Sequence, residues 1–260
     1  MKKNEILKEY YEKGGEKERL TKDKSHQVEF LTTTRYIDKY LKKDDKIIEI
    51  GAGTGIYSLH YAQRGYFVEA VELIQYNIDV LKEQVTSSMN INVRQGDAID
   101  LSFYEDNSFD ITLVLGPLYH LYNEEDKEKA ISEAIRVTKK NGLIFIAYLT
   151  HGSIVLGYGL KKGNMLDLKR QCDEQYRFVD DVVEVFSAFF VDEFEKMMEK
   201  FNCEHVASVG ADGITNSMGE WINQLTDEEY DVWLDYHYKS CERKDIQGYS
   251  CHMLHICRKN

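Results

Sequence analysis

The run Lys46-Ile47-Ile48-Glu49-Ile50 is apolar and β-branched enough to be a buried strand, and it breaks at once into Gly51-Ala52-Gly53-Thr54-Gly55. A helical pattern begins at Ile56. A strand that turns through glycine into a helix constrains the chain to an α/β fold and brings bare backbone close to whatever the turn faces. The free amides of the helix's first turn then point at a polar group. Three glycines in five residues exceed what a plain strand-to-helix connection needs, so the loop reads as a ligand site.

The residues downstream repeat the pattern. The helix from Ile56 stops at Gly65, and a second strand, Tyr66 to Val71, ends in Glu72. That acid falls about twenty residues beyond the first glycine, where nucleotide-binding βαβ units set a carboxylate against ribose hydroxyls. A helix from Gln75 to about Gln84 leads to a short strand, Ile91 to Arg94, and then to Gly96-Asp97-Ala98. Asp97 can accept from an exocyclic amine, or it can simply form a turn. The fourth strand, Phe109 to Leu115, runs into Gly116-Pro117-Leu118-Tyr119-His120-Leu121, which holds the sole proline of the chain. Asn123 caps a helix expected to end at Asn141-Gly142, and Leu143 to Leu149 is the fifth strand.

Upstream, residues 5–13 and 25–41 read as helices, with Tyr10, Tyr11 and Arg19 either exposed or part of a lid over the glycine loop. Downstream, Phe194 to Phe201 reads as a helix, and Cys203 to Val209 and Tyr249 to Cys257 as strands that pair antiparallel at the sheet edge.

Composition narrows the function. A chain of 260 residues, 43% hydrophobic and without a proline- or serine-rich linker, is expected to form one domain over 1–260. Within it, 1–45 are N-terminal helices, 46–151 the cofactor-binding core, and 152–190 and 214–248 helical lid insertions. A formal charge of −12 speaks against a nucleic-acid partner and for small neutral or cationic ones. No apolar run is long enough for a membrane span, and Met1-Lys2-Lys3-Asn4-Glu5 lacks a secretory pattern, so the expected location is cytoplasmic. Five scattered cysteines make a disulfide framework improbable. The run Cys251-His252-Met253-Leu254-His255-Ile256-Cys257 invites a metal reading, but strand alternation puts His252 on the face opposite Cys251, His255 and Cys257, so no metal is expected.

Taken together, Glu49-Ile-Gly-Ala-Gly-Thr-Gly55, Glu72, Gly96-Asp97-Ala98 and Leu115-Gly-Pro-Leu-Tyr-His-Leu121 make the chain resemble a class I S-adenosylmethionine-dependent methyltransferase of the small-molecule type, over roughly residues 47–150. The resemblance implies a doubly wound, Rossmann-like, seven-stranded α/β sheet with an antiparallel C-terminal edge hairpin. It implies S-adenosylmethionine as cofactor, with Gly51, Ala52, Gly53 and Gly55 around the methionine moiety and Glu49 orienting that end. Glu72 and Leu73 would then meet the ribose, Asp97 and Ala98 the adenine, and Leu115 and Pro117 would wall the cofactor beside its methyl group. The expected activity is methyl transfer to a small molecule, with His120 a candidate proton acceptor and Tyr119 a candidate for orienting the acceptor. Two other readings keep the same loop: a non-catalytic cofactor-binding module, and a nicotinamide oxidoreductase. The second is disfavoured because its fingerprint wants glycine where Ile56 stands. Neither the substrate nor the oligomeric state follows from the sequence.

Overall fold

The computed structural model describes residues 2–12, 16–177 and 186–260. Seven strands form one sheet in the order β3-β2-β1-β4-β5-β7-β6. They are β1 Lys46–Ile50, β2 Phe67–Glu72, β3 Ile91–Gln95, β4 Phe109–Val114, β5 Thr138–Leu149, β6 Cys203–Gly210 and β7 His252–Lys259. The first five pair in parallel, while β7 runs antiparallel between β5 and β6. The doubly wound sheet and its antiparallel C-terminal edge are therefore present as expected.

Side-chain alternation explains why both faces are covered. In β1, Ile47 joins one buried cluster and Ile48 and Ile50 the other; in β5, Phe145 faces the first, Ile144 and Ile146 the second. The first cluster is closed by α2 (Lys24–Tyr40) and α3 (Ile56–Gln63), through Tyr36, Ile37, Tyr57 and Tyr61. The second is closed by α5 (Glu124–Val137), through Ile131, Ala134 and Val137, and by Phe194. Two further helices, α1 (Lys2–Glu12) and α4 (Gln75–Gln84), lie near the carboxyl ends of β1 and β2.

The helix α5 ends at Val137, four residues before the expected stop. Thr138 Oγ1 donates to the Ala134 carbonyl at 2.6 Å, and Thr138 already pairs with Phe109, so the chain enters β5 at once. Asn141 and Gly142 sit instead in an irregular stretch of that ladder, Asn141 with φ +64°.

The two expected lid insertions behave differently. Within residues 152–190, α6 (His151–Ile154), a π-helical turn (Val155–Lys161) and α7 (Met165–Gln171) follow the carboxyl end of β5. Phe178, one of the aromatics singled out in that insertion, lies outside the described residues. After α8 (Val191–Met198), the segment 214–248 contributes α9 (Gly219–Ile222), α10 (Asp227–Ser240) and α11 (Lys244–Gln247). This segment packs mainly on α2: Ile222 and Tyr230 bury against Val28, and Lys24 reaches Asp227 at 2.7 Å. Its Trp221 and Tyr236 are exposed, and the segment buttresses α2, while its Asn216 lines the cavity described below.

Candidate functional site

The glycine loop adopts a left-handed conformation at all three glycines, which serve two different ends. At Gly51 a Cβ would come within 2.6 Å of the Pro117 ring, and at Gly55 within 2.5 Å of Leu81 on α4. At Gly53, φ +55°, the nearest atom to such a Cβ is Glu16 Cγ at 4.0 Å, so the space over the loop's centre is open. Gly51 and Gly55 thus fix the loop's shape, and Gly53 leaves room for a ligand. Pro117 takes part through Gly51, while Leu115 and Gly116 border the cavity directly.

Glu72 ends β2 beside this loop. Its Oε2 accepts from the Gly53 amide at 2.8 Å, and its Oε1 from the Ile74 amide at 2.8 Å and Asn77 Nδ2 at 3.3 Å. Glu72 is 6% exposed, so its carboxylate is a structural element of the loop as well as an acceptor facing it. Leu73 follows it, its carbonyl taken by Gln95 at 3.0 Å. Asp97, after β3, accepts from the Ile99 amide at 3.2 Å in a local turn, with Ala98 packed against the second core cluster. The strand order places these carboxyl ends side by side: Asp97 and Ala98, then Glu72 and Leu73, then the glycines, then Leu115.

Glu49 is buried at the end of β1, with Ser58 Oγ as donor. Burial pushes its carboxyl up from the ordinary range to about 8, and the nearby Glu72 adds to the rise. Folding therefore takes up a proton here between pH ~4.5 and ~8: the stabilisation is complete below the unfolded value and fades as pH rises through the folded one, at about 1.4 kcal/mol per pH unit. Glu49→Gln, uncharged throughout, should flatten the decline in melting temperature between about pH 5.5 and 8.5. Parallel curves for parent and variant would exclude this role.

A cavity of about 870 Å³ opens from Glu49, Gly51 and Ala52. Its cover comes from the segment carrying Tyr10, Tyr11, Glu16 and Arg19 on one side and from Ser153, Ile154 and Tyr158 on the other. The lid alternative for Tyr10, Tyr11 and Arg19 is the one adopted. Tyr119 lines the cavity with a buried hydroxyl that has no hydrogen-bond partner among the described residues. His120, next to it, contacts Tyr11 Oη at 2.9 Å through Nε2 and packs against Phe186, so its imidazole is engaged with α1.

The far wall is ionic. Arg19 reaches Glu29 Oε2 at 2.8 Å and Glu16 at 3.1 Å, and His252 Nδ1 lies 3.2 Å from Glu29 and 2.9 Å from Asp212. Burial works against a charged His252, yet Glu29 and the bond that His252 donates to Asp212 raise its pKa well above the usual value. Asp212 Oδ1 also accepts from Ser250 Oγ, Cys251 N and His252 N. Cys251 precedes β7, so strand alternation does not govern it, and the donor atoms of Asp212, Cys251 and His252 lie within 4.8 Å of one another. That corrects the geometric ground for separating Cys251 from His252.

Glu29 and Asp212 do not emerge from motif reading. A signal for each exists: Glu29 occupies the inward face of α2 between Val28 and Thr32, and Asp212 follows the carboxyl end of β6.

Known proteins share parts of this arrangement. Residues 48–146 match the family described as a methyltransferase domain. The demethylmenaquinone methyltransferase of Paenarthrobacter aurescens is 34% identical over 116 residues, 45% of this chain and 43% of that protein. The chain spans about half the length of the curated relatives it matches. Among solved structures, an S-adenosylmethionine-dependent methyltransferase from Thermotoga maritima superimposes with a TM-score of 0.58 at 16% identity, covering 98% of this chain and 99% of that one. The [4+2]-cyclase SpnF gives 0.57 at 15% identity, covering 89% and 81%, so the fold alone does not specify the reaction. Among the described residues no helix is long and apolar enough to cross a membrane.

Proposed function

We propose that this chain, whose residues 48–146 match the family described as a methyltransferase domain, is a class I S-adenosylmethionine-dependent methyltransferase that transfers the cofactor's methyl group to a small molecule held in the cavity. The observation that carries the reading is one continuous cavity, running from the glycine loop and Glu49 to the ionic wall of Arg19, Glu29, Asp212 and His252. Its volume is in the range of small-molecule sites.

The residues present fit the cofactor. Gly53 leaves the loop's centre open, Glu72 faces the loop with buried carboxylate oxygens, and Glu49 offers a neutral carboxyl that a nearby cation would ionise. Gly51, Ala52, Gly53, Gly55 and Glu49 would hold the methionine end, Glu72 and Leu73 the ribose, Asp97 and Ala98 the adenine, with Leu115 and Pro117 shaping the wall beside the methyl. When bound, the cofactor supplies a sulfonium methyl open to direct displacement.

The chain's own part is alignment and exclusion of water. The Tyr119 hydroxyl, unpartnered and buried, orients the acceptor atom. His120 stays the candidate proton acceptor, and with Tyr11 it also pins α1 across the loop. Tyr11→Phe removes that bond and should speed cofactor release about fivefold, in line with a neutral hydrogen bond. Stopped-flow release of S-adenosylhomocysteine at an unchanged rate would reject the latch. The proposal as a whole is tested by calorimetry with S-adenosylhomocysteine against a nicotinamide dinucleotide, followed by transfer of labelled methyl to a metabolite extract. Preference for the dinucleotide would sink it, and binding without transfer would favour a non-catalytic module.

A further inference from the structure

The wall opposite the glycine loop carries more negative than positive charge. Glu16, Glu29 and Asp212 supply three carboxylates against one guanidinium, Arg19, and one imidazole, His252. With the imidazole protonated the sum is one net negative charge, and with it neutral the sum is two. Lys161 and Lys162 also reach the cavity, but both are exposed, so water and salt screen them. Glu29 and Asp212 are buried, and an uncompensated charge there is costly until a counter-charge joins it.

Two further observations say what that counter-charge is attached to. The rings of Tyr10, Tyr11, Tyr57, Tyr119 and Phe186 line the same cavity, and aromatic faces attract an organic cation. The Tyr119 hydroxyl, buried and without a partner among the described residues, can accept from an N–H. From this juxtaposition of an under-compensated acidic wall, an aromatic box and an unpartnered hydroxyl, we infer that the methyl acceptor is an organic amine with an apolar or aromatic body, held as an ammonium ion. The inference rests on the methyl-transfer reading and narrows its substrate class.

The same wall suits the chemistry of that acceptor. The ammonium first loses one proton to water at the cavity mouth. The freed nitrogen pair then forms the N–C bond while the S–C bond breaks and its electron pair stays on sulfur, leaving a thioether and a methylated ammonium. Positive charge moves from sulfur to nitrogen, toward Glu29 and Asp212, so the wall's field favours the transition state over the reactants. An anionic acceptor would meet the opposite field, and a neutral alcohol would leave the wall uncompensated.

Binding can be read without turnover. Benzylamine, benzyl alcohol and benzoate are titrated into the full chain, alone and saturated with S-adenosylhomocysteine, by calorimetry. Benzylamine should bind at least about tenfold more tightly than either isostere. Tyr119→Phe, which leaves no partner stranded, should weaken benzylamine about fivefold with the affinity for S-adenosylhomocysteine unchanged. Glu29→Gln should weaken it further, and a circular-dichroism melt identifies any loss of fold in that variant. Labelled methyl from the cofactor should appear on amines of a mixed amine, phenol and thiol panel. Equal binding of the three probes, an indifferent Tyr119→Phe, or label confined to phenols or thiols overturns the amine assignment. Absence of S-adenosylhomocysteine binding overturns the methyl-transfer reading instead, which the separate titration distinguishes.

Discussion

Glu72→Ala is expected to weaken S-adenosylhomocysteine binding by about a hundredfold and to lower the melting temperature with it. An acid at a strand end that met only ribose hydroxyls would cost roughly tenfold, the worth of one charged hydrogen bond. In the folded chain the carboxylate does more: it accepts from the Gly53 and Ile74 amides at 2.8 Å each, so its removal strands two backbone donors and frees the loop that shapes the site. The cofactor then meets a site without its acceptor and pays to order the loop. Glu72→Gln should fall between, because it keeps one acceptor oxygen and turns an NH2 toward a backbone N–H. Calorimetry and thermal melts on the same samples decide it; a dissociation constant within about threefold of the parent would remove Glu72 from the site.

Asp212→Ala is expected to cost about 3–5 kcal/mol of unfolding free energy, the penalty of breaking a buried ion pair from one side. Ser250 Oγ, Cys251 N and His252 N all donate to Asp212 Oδ1, at 2.7, 2.8 and 3.1 Å, and His252 Nδ1 lies 2.9 Å from Oδ2. Burial alone would raise the Asp212 carboxyl, but the bond and charge of His252 and the bond from Ser250 hold it below its ordinary value. Removing it leaves an imidazole with Glu29 alone and two backbone donors without an acceptor at the turn into β7. Urea unfolding at neutral pH gives the number, and a loss below about 1 kcal/mol would show that Glu29 and water replace Asp212 in full.

The sequence by itself determined the nucleotide half of this protein. Ile47, Ile48 and Ile50 had to be a strand because both faces of a parallel sheet are buried, and Gly51, Gly53 and Gly55 had to be a turn with left-handed residues. Glu72 and Asp97 follow from the same local logic, since one ends β2 and the other follows β3 by two residues. These features are legible because they are set by neighbours close in sequence. Even there, local reading misplaced the end of α5, where a tertiary pairing of Thr138 with Phe109 overrides the Asn141-Gly142 stop signal.

The ionic wall of the cavity was decided by tertiary structure. Arg19, Glu29, Asp212 and His252 come from a loop, a helix and two strand ends far apart in the chain, and no spacing rule joins them. His252 reaches the cavity because the antiparallel register sets it beside Leu149 at the carboxyl end of β5. His120, in the segment that follows β4, is instead drawn to Tyr11 of a helix more than a hundred residues away. The physical reason is the same in each case: a side chain's charge and hydrogen-bond partners depend on what folding packs against it, and for this wall those partners are brought in by long-range strand pairing and by α2, not by the local chain.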